Sequence, residues 1–324
     1  MHYRDFGKTG LKVSQIAFGG GAVGGLLIDK DDAYKVAALQ HAMDAGINWV
    51  DTAPAYGQGQ SEAALGWLLK KVDPVPYVST KVRLDTDDLS DIPGQVERSL
   101  VESFKRLQRD AVTLVFLHNQ IGESPGRGKL PVSAVMGPDG VLESLERLRE
   151  QGLFKLMGIT AMGELPGILE VINSGRLDAA QVYYNMLNPS AGYKLPPSWP
   201  VYDFSGILEA CHANGVAAMN IRIFSAGVIA TDNRTGRESP ITHGDTVESE
   251  ARKAKAIFDE VGLSYGTRAQ TALRFGLAQP MLSSIIVGLA EMEHLDQAIE
   301  AENMGPLPQA VMDRIQAVYQ SYTS

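Results

Sequence analysis

Four side chains in this 324-residue chain could carry acid–base chemistry together: Asp51, Tyr56, Lys81 and His118. Asp51 closes the apolar run 47–50, Lys81 stands near the end of 77–82, and His118 directly follows 112–117. Tyr56 comes five residues after Asp51, in Thr52-Ala53-Pro54-Ala55-Tyr56-Gly57. A phenol is a weak acid until a neighbouring cation stabilises its phenolate. Lys81 can supply that cation, and the Asp51 carboxylate can pair with it and hold it in place. His118 can donate to an oxygen on which negative charge develops. Such a group suits proton delivery to a carbonyl oxygen, or its removal from an alcohol, while hydride moves at the carbon. Singly, each residue has a plainer reading. Asp51 could cap a helix, Tyr56 could be a rim aromatic, Lys81 a surface charge and His118 a satisfied polar residue. Their joint placement is the signal.

The elements that must position them alternate along the chain. Short apolar runs at 47–50, 77–82, 112–117, 155–160, 179–183, 216–221 and 284–287 read as strands. Between them, helical periodicity occupies 31–45, 62–70, 93–107, 141–151, 165–173, 205–214, 246–262 and 267–278. Strand–helix alternation calls for parallel βαβ units, with right-handed crossovers leading to a barrel or a doubly wound sheet. The expected fold is α/β, a (β/α)8 barrel of TIM type. In a barrel, consecutive strand ends are neighbours on one face, so the four side chains converge there. An eighth strand is expected to be very short, near 303–305. Segments 3–6 and 11–14 flank Gly7-Lys8-Thr9-Gly10 and read as an N-terminal β-hairpin able to cap the barrel bottom. Three long loops, 119–140, 186–204 and 224–245, follow strands and should crowd the face that carries the site. No linker-like composition interrupts the chain, so residues 1–324 are expected to form a single domain.

Two motifs point elsewhere and fail on context. Gly19-Gly20-Gly21-Ala22-Val23-Gly24 fits a dinucleotide-binding G-x-G-x-x-G, but the next helix begins only near Asp31 and the following strand ends in Asp51 about thirty residues on. Tyr77-Val78-Ser79-Thr80-Lys81 fits Tyr-x-x-x-Lys, a pair that needs one helical turn to share a face. On a strand those four steps span about 13 Å.

Composition narrows the classes further. A net charge of −9 argues against nucleic acid as partner, and 44% hydrophobic residues are ordinary for a globular protein with a large core. The one cysteine, Cys211, has no partner for an intrachain disulfide and reads as an apolar core residue. No 18-residue apolar stretch and no apolar leader appear, so the expectation is a cytoplasmic protein without a membrane partner or metal.

Ile47-Asn48-Trp49-Val50-Asp51-Thr52-Ala53 followed by Tyr56-Gly57 resembles the signature segment of aldo-keto reductases. Ser79-Thr80-Lys81-Val82 and Leu117-His118 resemble its second and third motifs, and 3–14 resembles the family's opening hairpin. The resemblance covers the chain to about residue 300. It implies a TIM-type barrel, an NAD(P)(H) cofactor across its C-terminal face, and Asp51, Tyr56, Lys81 and His118 as the catalytic tetrad. The implied enzyme moves hydride between nicotinamide and an aldehyde, aldose or related carbonyl or alcohol. The stretches 19–25 and 222–227 look most like the bacterial sugar-dehydrogenase branch, that of D-threo-aldose and galactose dehydrogenases. A cofactor-binding regulatory subunit on the same fold is the alternative, and a barrel lyase or isomerase without nicotinamide is a third reading.

Cofactor contacts carry over unevenly. Gln181 matches the glutamine that binds the nicotinamide carboxamide. The family's Ser-Asn pair appears as Thr160-Ala161, of which only Thr160 keeps a hydrogen-bonding side chain. The Tyr-Ser-Pro-Leu-type segment appears as Ile221-Arg222-Ile223-Phe224, then Ser225-Ala226-Gly227. Ile221 removes the aromatic stack, whereas Arg222 suits pyrophosphate oxygens, its plainer role being a structural salt bridge. Gly20, Gly21, Phe224 and Gly227 complete the expected lining. At the adenosine end the resemblance implies Gly288, Glu291, His294 and Gln297. Residues 288–295 hold no Lys or Arg and two carboxylates, Glu291 and Glu293, which favours NAD over NADP unless Arg252, Lys253 or Lys255 reaches across.

Overall fold

Eight parallel strands close on themselves in chain order: β1 (Ile16–Gly19), β2 (Trp49–Asp51), β3 (Tyr77–Val82), β4 (Val112–Leu117), β5 (Phe154–Ala161), β6 (Ala179–Tyr183), β7 (Ala217–Ile221) and β8 (Leu282–Gly288). The ring is completed where β8 pairs with β1, Val287 opposite Phe18 and Gly288 opposite Gly19. This computed structural model describes residues 1–21, 23–123, 128–242 and 244–322. Among them no helix is long and apolar enough to cross a membrane.

Helices Asp32–Asp44, Gln60–Leu68, Ile92–Leu107, Val141–Glu150, Leu165–Asn173, Ile207–Ala213, Val247–Val261, Arg268–Leu277, Met292–Met304 and Gln309–Ser321 surround the barrel. Ile92–Leu107 shows how the sequence sets one. Asp91 accepts from the Gly94 amide as N-cap, and Pro93 occupies the first turn, where its missing N–H costs nothing. Val96, Leu100 and Leu107 form one buried stripe facing the sheet. Each contributes about 1.5–3 kcal/mol of burial. The helix stops at Gln108, which turns into the left-handed region at φ 52°.

The strand expected near 303–305 is instead the end of helix Met292–Met304 and its glycine cap, Gly305. The missing strand is β1. Its four residues are all buried, so they show no alternation, and glycines follow at once, which hides it behind the preceding hairpin. Asp51 therefore ends the second barrel strand. The Gly19–Gly24 run does follow a core strand, but one in a closed barrel.

The hairpin pairs Tyr3–Asp5 with Lys12–Ser14, antiparallel. Phe6, just past its first strand, stacks on the Trp49 ring at 4.7 Å, and Trp49 meets Tyr77 at 5.5 Å. With Val13, Leu114, Phe116 and Met219 these side chains fill the lower barrel. Arg4 pins the hairpin by donating to the carbonyls of Leu277, Gln279 and Leu282 at 2.7, 3.0 and 2.6 Å. Tyr77 thus belongs to the floor while Lys81 stands at the mouth.

Candidate active site

Asp51 and Ser79 are register partners on β2 and β3, and Lys81 is two residues further along β3 on the same inward face. This geometry brings Lys81 Nζ to 2.7 Å from Asp51 Oδ2 and 2.9 Å from the Thr52 carbonyl. Both side chains are sealed from solvent, 0% and 3% exposed. Asp51 Oδ1 accepts from Ser79 Oγ at 2.7 Å and from Gln181 Nε2 at 2.8 Å. Ser79 Oγ accepts in turn from Trp49 Nε1 at 3.0 Å, so the carboxylate is braced through to the barrel floor.

The loop after β2 returns Tyr56 over this pair, with Lys81 Nζ 4.7 Å from its ring centroid. The residue is half-buried. Burial pushes the phenol above its ordinary value of 10, while the Lys81 charge pulls it down and the Asp51 charge raises it again. Burial wins. The cation acts on Tyr56 in the direction the sequence implies, yet the hydroxyl stays protonated at neutral pH. Lys81 itself loses stability as a cation through burial, but Asp51 and Tyr56 more than offset this and raise it above the ordinary ammonium value.

His118 meets Tyr56 edge-on, ring centroids 5.9 Å apart at 88°. Its backbone N–H donates to the Val82 carbonyl at 2.8 Å, fixing it beside the end of β3. Burial first, then the charges of Lys81 and Arg83, lower its pKa to about 3. The ring is therefore neutral, and Nδ1 is buried without a partner among the described residues. The four residues singled out from the sequence are all at one mouth.

The proposed cofactor residues divide into three groups. Gln181 sits opposite Thr160 on β5 and accepts from its hydroxyl at 3.5 Å, while its amide N–H holds Asp51. Ala161 points outward and packs in the outer core. After β7 the backbone is strained: Arg222, Ser225 and Ala226 have φ of 62°, 45° and 54°, each conformation costing about 1–3 kcal/mol outside glycine. Asn185 Nδ2 donates to the Arg222 carbonyl at 2.9 Å, and Ser225 Oγ donates to buried Glu250 at 2.7 Å. Both contacts stabilise the turn. The Arg222 guanidinium donates only to Ser239, at 2.9 and 3.2 Å, so the structural salt bridge is not formed among the described residues. Phe224 packs on the core, and Gly227 follows at φ 102°.

At the end of β8, Glu291 is bound by Lys30 and by the Tyr34 hydroxyl. His294 Nδ1 accepts from the Ala290 amide at 3.3 Å, and Gln297 bridges Thr267 and Glu293. A cation thus reaches this segment, but from the loop after β1, because β1 and β8 are neighbours. Local sequence carries no sign of it. Lys253 is engaged with the Pro200 carbonyl and Asp245, and Lys255 with Asp259.

The site fits a nicotinamide cofactor on two grounds. A Cβ on Gly288 at the end of β8, or on Gly21 or Gly227 in the segments after β1 and β7, would meet only open space. His118 also keeps a ring nitrogen that no described protein group satisfies.

The sequence matches the Aldo/keto reductase family profile over residues 15–320. The chain belongs to the aldo/keto reductase family. It is similar to L-galactose dehydrogenase of Arabidopsis thaliana, 25% identical with 98% of this chain and 94% of that protein covered. It is 26% identical to D-threo-aldose 1-dehydrogenase of a Pseudomonas species, covering 90% of each. It also resembles a probable voltage-gated potassium channel β subunit of Arabidopsis thaliana, 26% identical over 99% of this chain and 97% of the other. An aldo-keto reductase of Bacillus halodurans shares the fold, with a TM-score of 0.74 at 18% identity, covering 100% of this chain and 98% of that one. As a member of this family the chain is an oxidoreductase using a nicotinamide cofactor on carbonyl or alcohol substrates.

Proposed function

We propose that this aldo/keto reductase acts on an aldehyde, an aldose or a small hydroxylated carbonyl compound, with Tyr56 exchanging the proton at the substrate oxygen. One observation carries the reading: a solvent-sealed Asp51–Lys81 ion pair beneath a phenol held in its protonated form. The bound nicotinamide supplies or accepts the hydride. In reduction Tyr56 O–H gives its proton to the oxygen, Lys81 stabilises the resulting phenolate, and Asp51 keeps Lys81 in position. Neutral His118 orients the oxygen through a ring N–H. In oxidation it is the phenolate form of Tyr56, stabilised by Lys81, that takes the alcohol proton. The similarity to L-galactose and D-threo-aldose dehydrogenases supports a sugar substrate. Turnover of a panel of aldehydes and aldoses, followed by cofactor absorbance, tests the reading; no turnover of any member would favour the regulatory-subunit alternative that the channel-subunit similarity supports.

For the cofactor, Thr160 and Gln181 would hold the carboxamide. Gly21, Arg222, Phe224 and Gly227 would line the middle, and Gly288, Glu291, His294 and Gln297 the adenosine end, whereas Gly20, also expected there, is buried against Ser61 and the Asp51 carbonyl. The cation at that end, Lys30, is already neutralised by Glu291. NAD is therefore expected to serve at least as well as NADP.

A further inference from the structure

Arg83 follows Lys81 by two residues, one position past the end of β3, where the chain reaches solvent. Its backbone is held on both sides. The Val82 carbonyl accepts from the His118 amide at 2.8 Å. The buried Asn119 side chain then clasps Leu84 from both sides, accepting from its N–H at 2.8 Å and donating to its carbonyl at 2.9 Å. The residue is thus bracketed by two contacts from the His118-Asn119 pair. The guanidinium lies against the Gly128 backbone, where a Cβ would come within 3.1 Å of Nη2. Its charge is felt at the His118 ring.

This guanidinium is exposed and has no carboxylate partner among the described residues. The carboxylates near it in sequence, and Glu164, make other contacts. Asp85 accepts from the Asp87 amide, Asp88 from Ser90, and Asp91 from Gly94 and Arg98. Glu164 takes Lys129 and the Glu123 amide. Elsewhere on this chain arginines that meet structure are tied down, as Arg176 is to Glu146 and Arg268 to Asp232. An unpaired guanidinium on a braced backbone, whose charge reaches the proposed oxygen-binding histidine, is available to a ligand.

We propose that Arg83 anchors an anionic group on the substrate, so that the preferred carbonyl compounds carry a carboxylate or a phosphate away from the reacting carbon. The inference rests on Tyr56 and His118 binding the carbonyl oxygen. With the oxygen held there, the distal end of the substrate points out of the mouth past Arg83, whose planar fork matches two anionic oxygens.

Matched pairs of aldehydes test it: 4-carboxybenzaldehyde against benzaldehyde, and glyceraldehyde 3-phosphate against glyceraldehyde. The readout is the ratio of kcat/KM, anionic over neutral, at fixed ionic strength. In the native enzyme at least one ratio should exceed about tenfold, and Arg83→Gln should remove most of it through KM, the usual scale of a charge-assisted contact. Arg83→Lys should retain more of a phosphate preference than of a carboxylate preference, because a point charge replaces the fork. A carboxylate-only or phosphate-only preference identifies which anion the site takes. Native enzyme that favours the neutral member of both pairs, or ratios unmoved by Arg83→Gln, overturns the proposal. Calorimetric titration with benzoate and benzamide reads the same contact without turnover. If no aldehyde reacts, the oxidoreductase reading fails, yet a benzoate preference lost in Arg83→Gln would still establish the anion site, and equal weak binding would refute it.

Discussion

Lys81 Nζ and Asp51 Oδ2 lie 2.7 Å apart with neither open to solvent, a closed ion pair beside the Tyr56 ring. The pair is expensive to break from one side, since the survivor is left charged and dry. Asp51→Asn should therefore destabilise the fold by about 3–5 kcal/mol, readable as a lower midpoint in denaturant unfolding. A midpoint within error of the native one would mean that water reaches the pair.

Tyr56→Phe removes one hydroxyl and leaves the ring against His118. We expect kcat to fall at least about 100-fold, the scale of general acid catalysis, with cofactor affinity nearly unchanged by fluorescence titration. Near-native turnover would assign the proton to another group.

The pH profile separates the two titratable partners. Burial and the Lys81 and Arg83 charges hold His118 near 3, so it stays neutral across the working range and contributes no inflection near 6.5. Tyr56 is displaced upward by burial. Reduction needs the phenol, so kcat/KM for reduction should be flat from about pH 5 to 9 and fall only as pH passes the raised Tyr56 value. An inflection near 6.5 that disappears in His118→Gln would show that His118 titrates in the working enzyme.

Cofactor choice turns on Lys30 and Glu291. With the pair intact, kcat/KM for NADP should not exceed that for NAD by more than about tenfold, or 1.4 kcal/mol. Glu291→Gln releases Lys30 and removes a carboxylate, so the ratio should shift towards NADP. Native enzyme preferring NADP beyond tenfold would show that Lys30 leaves Glu291 for the phosphate.

Much of this arrangement was legible in the sequence because it is built from local patterns. Strands Tyr77–Val82, Val112–Leu117 and Ala179–Tyr183 have the predicted bounds, and their ends place Lys81, His118 and Gln181. What stayed hidden depends on chain closure. Ile16–Gly19 is recognisable as a strand only once β8 pairs with it, and Lys30 meets Glu291 only because that pairing brings residues 261 apart into contact. The same holds for the phenol. The sequence identifies the cation near Tyr56, but the extent of burial, which sets the net direction of its pKa, is a property of the packed barrel.

The stacked Phe6 and Trp49 rings turn the barrel into a well with one opening. Substrate, cofactor and the proton that replenishes Tyr56 must all pass the same rim. Nothing passes below, so the face that admits each of them must also release it. The opening hairpin, far from the chemistry, thereby acts as the stopper that gives the site a direction.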